Sequence, residues 1–204
     1  MPDTRQPLSE KSVESDPISQ FARWYERVLE EVKPLPNAVA LATATPAGYP
    51  SLRIVLLKGF DSHGFVFYTN YRSRKGRELA RNARASLVFY WGDLDRQVRV
   101  DGRVTKVAAR ESDEYFATRP RGSQLSAWAS AQSVKVASRA ALERRFAAFA
   151  RKYPGAVPRP PHWGGYRLTP DVVEFWQGRD DRLHDRILYR RGSRGRWAVE
   201  RLAP

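Results

Sequence analysis

Three stretches of this 204-residue chain concentrate side chains that can grip anions or move protons. The densest is Glu174-Phe-Trp-Gln-Gly-Arg-Asp-Asp-Arg-Leu-His-Asp-Arg186. Within it Arg182, His184 and Arg186 alternate, so on an extended segment they share one face. Three cationic-capable groups on one face repel one another unless an anion sits among them. A lone His is usually structural; a His between two Arg is a better site candidate. The second stretch, Ser73-Arg74-Lys75-Gly76, opens a helix. Backbone N–H groups, a hydroxyl and two cations there make a phosphate seat, although an ordinary N-cap followed by surface charge explains the same residues. In the third stretch Arg53 and Lys58 bracket an apolar strand. They point to opposite faces unless the strand bends or ends between them, and taken alone they fit a solvated edge.

Composition agrees with anion chemistry without choosing the anion. Lys and Arg number 36 against 22 Asp and Glu, for a formal charge of +14, and 29 of the cations are Arg. Such a chain attracts polyanions, and a guanidinium also grips a small phosphorylated ligand bidentately. A basic surface tuned for solubility is the third option. The chain has no Cys, which excludes disulfides, Cys-ligated zinc, iron–sulfur clusters and thiol catalysis. Its His residues, at 63, 162 and 184, are too scattered for a zincin-type helix motif, and no metal is expected. G-x-G-x-x-G, Walker A and G-x-S-x-G motifs are absent. Chemistry through a borrowed cofactor therefore fits better than an internal nucleophile.

The elements that must position these residues are mostly strands. Residues 1–15 read as a flexible arm. Asp16-Pro17 starts a helix, with Ile18, Phe21, Trp24, Tyr25, Val28, Leu29 and Val32 at helical spacing. Strands are predicted over 38–45, 51–59, 65–70, 85–91 and 96–107, with a short basic helix over 73–82. Asp101-Gly102 is either a hairpin turn or a glycine bend, and the bend is preferred because a hairpin leaves very short arms. Helices are predicted over 109–117 and 138–152, separated by the polar basic loop Arg119-Pro-Arg-Gly-Ser-Gln124. Four further strands are predicted over 166–168, 172–176, 186–189 and 197–201. This run of antiparallel strands with three or four helices implies a closed or partly closed barrel with added helices. No stretch reaches the ~18 apolar residues of a membrane span. The polar N-terminus carries no apolar signal core, so a cytoplasmic protein with no membrane partner is expected.

Several motifs then occur in a fixed order: Arg53-Ile-Val-Leu-Leu-Lys58, Phe67-Tyr-Thr-Asn70, Ser73-Arg-Lys75, Arg96-Gln-Val98, Tyr115-Phe116, Arg119-Pro-Arg-Gly-Ser-Gln124, Gln132-Ser133, Trp163-Gly-Gly165, Glu174-Phe-Trp-Gln-Gly178, Arg182-Leu-His-Asp-Arg186 and Arg201-Leu-Ala-Pro204. Over residues 16–204 this resembles the pyridoxamine/pyridoxine 5′-phosphate oxidases. The resemblance implies a mainly β, FMN-binding split β-barrel, one domain over 16–204, working as a homodimer with flavin at the interface. It implies that Arg53, Ile54, Val55, Leu56, Leu57, Lys58, Tyr68, Thr69, Arg74 and Lys75 hold FMN, Arg74 and Lys75 near its phosphate. Gln97, Gln132, Ser133, Trp176 and Arg186 would reach it from the partner subunit or close the pocket. Lys58, Tyr115, Arg119 and Ser123 would grip the substrate phosphate, with Arg182, Leu183 and His184 over the pyridine ring and Arg182 and His184 catalytic. The implied reaction oxidises pyridoxamine or pyridoxine 5′-phosphate to pyridoxal 5′-phosphate, with O2 as acceptor. Residues 1–15 hold only Arg5 and Lys11 as cations and no Tyr, so no lid residue is assigned. A related FMN oxidase of phenazine type, taking a substrate without phosphate, is one alternative. A protein that stores FMN or pyridoxal phosphate without turnover is another. A nucleic-acid-binding barrel is the third; it wants aromatics interleaved with cations on one sheet face. Those of 65–68 and 88–91 run consecutively instead, so no nucleic acid is expected.

Overall fold

The computed structural model describes residues 7–204. Its frame is one antiparallel sheet curled into a half-barrel. The strands are β1 (Ala38–Ala44), β2 (Pro50–Leu56), β3 (Gly59–Asp61), β4 (Gly64–Asn70), β5 (Arg84–Trp91), β6 (Arg96–Lys106), β7 (Trp163–Gln177), β8 (Asp185–Arg191) and β9 (Trp197–Arg201). Five helices surround them: α1 (Pro17–Glu31), α2 (Arg74–Arg81), α3 (Ala109–Thr118), α4 (Arg121–Ala129) and α5 (Arg139–Lys152). The sheet order is β2-β1-β5-β6-β7-β4-β3, with β8 and β9 added beside β7.

Strand β7 organises the barrel. One edge pairs with β6; the other pairs with β4 through Trp163–Leu168 and then with β8 through Val172–Gln177. The sequence reading breaks this strand at Pro170, but the strand is continuous. Pro170 falls between the two partners on that edge, where its missing N–H leaves no ladder bond unmade. The glycine bend in β6 is present as a register shift between Asp101 and Gly102. A Cβ on Gly102 would lie 2.0 Å from the Thr169 carbonyl oxygen, so only glycine lets the strands approach there.

Helix α1 plugs the barrel. Asp16 caps it by accepting the Ser19 N–H at 2.9 Å. Its buried face places Phe21 edge-on to Phe65 at 4.9 Å and Trp24 edge-on to Phe175 at 5.2 Å. Each such fully buried ring contributes about 1.5–3 kcal/mol by removal from water. A smaller apolar cluster of Phe116, Leu125, Val157 and Trp163 lies under α3–α5.

One expectation needs correction here. The loop expected after Arg119 is helix α4: Pro120 precedes its first turn, Leu125 and Ala129 are buried, and the Gln124 amide donates to the Phe116 carbonyl at 2.9 Å. Those contacts outweigh the roughly 1 kcal/mol that Gly122 costs within a helix. The arm expected over residues 1–15 is described from residue 7 onward, where it contacts the barrel; residues 1–6 lie outside the described residues. Leu8 is buried and its N–H donates to Asp185 at 3.0 Å, Arg201 donates to the Leu8 carbonyl at 2.6 Å, and the Tyr189 hydroxyl donates to the Glu14 carbonyl at 2.7 Å.

Candidate active site

A pocket of about 700 Å³ opens between the two apolar clusters, where the ends of β2 and β4 meet α2, α3 and α4. Eleven of the residues singled out from the sequence line it: Ile54, Val55, Leu56, Lys58, Tyr68, Thr69, Lys75, Tyr115, Arg119, Ser123 and Gln132. Strand β2 ends at Leu56, which frees Lys58 from the strand's alternation and brings it to the pocket. Among the described residues, no Asp or Glu lines it.

The cations in this pocket have no carboxylate partners. Lys75 is buried, and its Nζ donates to Thr69 Oγ1 at 3.3 Å and to Gln132 Oε1 at 3.2 Å. Burial first, and the nearby Arg53 charge second, push its ammonium below the ordinary value. Arg119 lies over Trp163 at 4.6 Å and Phe116 at 5.5 Å, its Nη1 buried without a hydrogen-bond partner. Leaving a buried donor unmade costs about 1–3 kcal/mol, and a ligand oxygen would recover it. Tyr68 stacks on Tyr115 at 4.0 Å and on Trp163 at 5.5 Å; burial pushes its phenol up to about 12, so it stays a neutral hydrogen-bonding group. Anchored cations without acids and a flat aromatic wall fit a planar ligand that carries phosphate.

Ser73 shapes the Lys75 end by capping α2: its Oγ accepts the Gly76 N–H at 3.3 Å. Gly76 is required, because a Cβ there would lie 2.2 Å from the Tyr71 carbonyl oxygen. Arg53 and Arg74 stand behind this end, not in the lining. Both contact the buried carboxylate of Glu78, at 3.4 Å and 2.9 Å. Leu57 belongs to the apolar core. Ser133, in left-handed backbone with φ 68°, adjoins Gln132 outside the lining.

The remaining expected residues gather elsewhere. Gln97 on β6, Trp176 on β7 and Arg186 on β8 stand in one row across the sheet. The ring of His184 lies 4.7 Å from Trp176, and its Nδ1 accepts the Arg179 N–H at 3.1 Å. That bond leaves Nε2 to carry the proton of the neutral ring. Arg182, His184 and Arg186 do not form the expected extended face. Residues Asp180–Arg182 make a single turn, with Asp181 at φ 54° and Arg182 at φ 60°. Left-handed backbone at residues other than glycine is disfavoured and concentrates at functional sites. Arg182 and Leu183 are exposed. None of Gln97, Trp176, Arg182, Leu183, His184 or Arg186 lines the pocket.

Sequence reasoning passed over Asn70, Thr118, Ser126, Ser130 and Trp163 in the lining, and Glu78 behind it. The motifs Phe67–Asn70 and Trp163–Gly165 already contained two of them. Glu78 had a local signal, its place four residues after Arg74 on a helix.

A curled half-barrel with a cationic pocket at the ends of β2 and β4 defines the class by fold: it is a split barrel. Comparison with known proteins narrows this. Residues 26–153 match the family described as pyridoxamine 5′-phosphate oxidase, and residues 163–204 match the pyridoxine 5′-phosphate oxidase C-terminal dimerisation region. A pyridoxine/pyridoxamine 5′-phosphate oxidase of Rubrobacter xylanophilus is 58% identical over 98% of this chain and 93% of its own. One of Cupriavidus necator is 57% identical over 97% and 93%. The solved structure of PhzG from Burkholderia lata, in complex with tetrahydrophenazine-1-carboxylic acid, has a TM-score of 0.92 at 33% identity, covering 99% of this chain and all of that one. A pyridoxamine 5′-phosphate oxidase-related, FMN-binding protein of Nostoc punctiforme shares the fold, with a TM-score of 0.73 at 20% identity over 98% of this chain. The chain belongs to the pyridoxamine 5′-phosphate oxidase family, a family of FMN-dependent flavoproteins. Among the described residues, no helix is long and apolar enough to cross a membrane, and no group of three His, Asp or Glu is placed to hold a metal.

Proposed function

We propose that the chain oxidises pyridoxamine 5′-phosphate and pyridoxine 5′-phosphate to pyridoxal 5′-phosphate, as a homodimer, with FMN as cofactor and O2 as final acceptor. One observation carries this reading: Lys58, Tyr115, Arg119 and Ser123 converge with Lys75 in a single pocket that no acid lines. Two cationic ends suit two phosphates, one of the cofactor and one of the substrate. Lys75, which donates to Thr69 and Gln132, would take the FMN phosphate, with Arg74 and Arg53 behind it. Arg119 would donate its unpartnered Nη1 to the substrate phosphate, joined by Lys58, Ser123 and the Tyr115 hydroxyl.

FMN, when bound, would supply the two-electron redox chemistry between substrate and O2, with hydrogen peroxide as the by-product. The chain's part is orientation and electrostatics. Arg182 would stabilise negative charge on the substrate and help remove its proton, while His184 would offer Nε2–H to the ring. From pyridoxamine 5′-phosphate the product is an imine, which water hydrolyses to the aldehyde and ammonia.

A second copy of the chain is needed because the Arg182–Arg186 segment does not reach the pocket of its own chain. Two observations support that copy: residues 163–204 match a dimerisation region, and Leu52, Ile54 and Tyr90 stand exposed on the outer sheet face. Tyr90 is in register with Gln97, and Ile54 also lines the pocket.

The likeness to PhzG favours one competing reading, an FMN oxidase whose substrate carries a carboxylate and no phosphate. An anaerobic flavin titration separates the two. Pyridoxine 5′-phosphate should bleach the flavin band, and air should restore it. A band unmoved by the phosphorylated vitamers but bleached by tetrahydrophenazine-1-carboxylic acid would establish the PhzG-like reading instead.

A further inference from the structure

We infer that Glu78 is a positioning residue: its buried carboxylate holds Arg53 and Arg74 beside Lys75 and so sets the geometry of the phosphate seat. The inference rests on the reading that the Lys75 end of the pocket takes the FMN phosphate. Glu78 joins three elements. Its Oε2 accepts the hydroxyls of Thr43 on β1 and Ser51 on β2, each at 2.5 Å, and lies 3.4 Å from Arg53 Nη2. Its Oε1 accepts Arg74 Nε at 2.9 Å within α2. Burial alone would raise this carboxyl; Ser51, Thr43 and Arg74 overcome it and hold the group at about 2, so it is ionised at neutral pH.

The charges explain why such a residue is needed. Burial first, with the Arg74 charge a smaller cause, depresses Arg53; burial first, with the Arg53 charge second, depresses Lys75; the three cations therefore lie close enough to repel one another. Glu78 is the acid that both arginines contact. With it, the cluster carries a formal +2, which matches a phosphomonoester of about −2. Without it, Arg74, whose side chain is 58% exposed, would swing into solvent, since a long free side chain regains rotamer entropy there. The Nε bond to Glu78 leaves the Nη fork of Arg74 without a partner among the described residues. That fork is the bidentate donor a phosphate uses.

The experiment titrates FMN and riboflavin separately into the full chain stripped of flavin, following flavin fluorescence. Riboflavin lacks only the phosphate, so the affinity ratio isolates the seat. In Glu78→Gln the preference for FMN should fall about tenfold, with riboflavin affinity unchanged. Arg74→Ala should lose a similar factor, and the double variant little more than either alone. An unchanged ratio, a tighter FMN affinity or a parallel loss of both ligands in Glu78→Gln would each overturn the inference. Should that variant fail to fold, Glu78→Asp retracts the carboxylate from Arg74 while keeping its charge, and the same outcomes apply. A parent chain that binds riboflavin as tightly as FMN would instead defeat the underlying assignment of the phosphate seat.

Discussion

The pocket and the β6–β8 row treat the same kind of side chain in opposite ways. In the pocket, Lys75 and Arg119 are packed among hydroxyls, amides and rings, with no carboxylate in the lining. Along the row, arginines are paired with buried acids. Glu174 accepts Arg186 at 2.7 Å and Arg99 at 2.8 Å, and Asp185 accepts Arg179 and Arg201, each at 2.8 Å. Along the row, an arginine paired in this way is largely neutralised and serves as frame; an anchored cation without an acid is a standing demand for an anion. Arg182 is an exception in its region, an exposed cation on left-handed backbone with no ion pair among the described residues.

The largest test of this contrast removes that exception. Arg182→Leu should lower turnover by about 10²–10³-fold, the size of losing a group that stabilises developing charge, while FMN affinity stays within about threefold. Steady-state kinetics beside a flavin titration read both quantities. Equal losses in the two would make Arg182 part of the frame.

Next comes the orphaned donor in the pocket. Arg119→Ala should raise KM for pyridoxine 5′-phosphate about 10–100-fold, since a charge-assisted hydrogen bond contributes roughly 1.5–3 kcal/mol. Any turnover of pyridoxine itself, which has no phosphate, should barely change. If both substrates suffer alike, Arg119 supports the Trp163 wall and not a phosphate.

The frame side is tested through stability. Against the cost of burial, Arg186 and Arg99 hold the Glu174 carboxyl below its ordinary value. Removing one partner from a buried ion pair costs about 3–5 kcal/mol; with both arginines about a third exposed, Glu174→Gln should cost nearer 2 kcal/mol, read by denaturant melts. The pH sign follows. A depressed carboxyl contributes its full stability above the unfolded value near 4.5, and loses it as pH falls through the lower folded value. The parent chain should therefore weaken below about pH 4.5, and Glu174→Gln should weaken less steeply there. Loss of stability on the alkaline side instead would count against the pairing.

How much of this was legible in the sequence also divides between the two regions. The strand pattern of 84–106 and the α1 face were readable because alternation and the 3.6-residue period act locally. Arg119-Pro-Arg-Gly-Ser-Gln124 reads as a loop by composition; its helix depends on Leu125 and Ala129 being buried against distant residues. The pocket lining could be assembled because its motifs fall on consecutive strand ends. The alternation of Arg182, His184 and Arg186 misled, since it assumes extended backbone where Asp181 and Arg182 are left-handed. Acid partners such as Glu174 were invisible for a related reason: their pairing is fixed by sheet register, which single-strand patterns do not give.

The smallest expected effect sharpens the contrast inside the pocket itself. Lys58 shares the pocket with Arg119, yet it is exposed, its Nζ 5.9 Å from the Tyr115 ring. Water screens such a charge, and exposed ion pairs contribute roughly 0.2–1 kcal/mol. Lys58→Ala should therefore raise KM for the phosphorylated substrate only about two- to fivefold, and added salt should weaken the parent chain towards the variant. A loss as large as that of Arg119→Ala would mean that ligand binding buries Lys58, and the exposed rim of the pocket would then belong with its anchored cations.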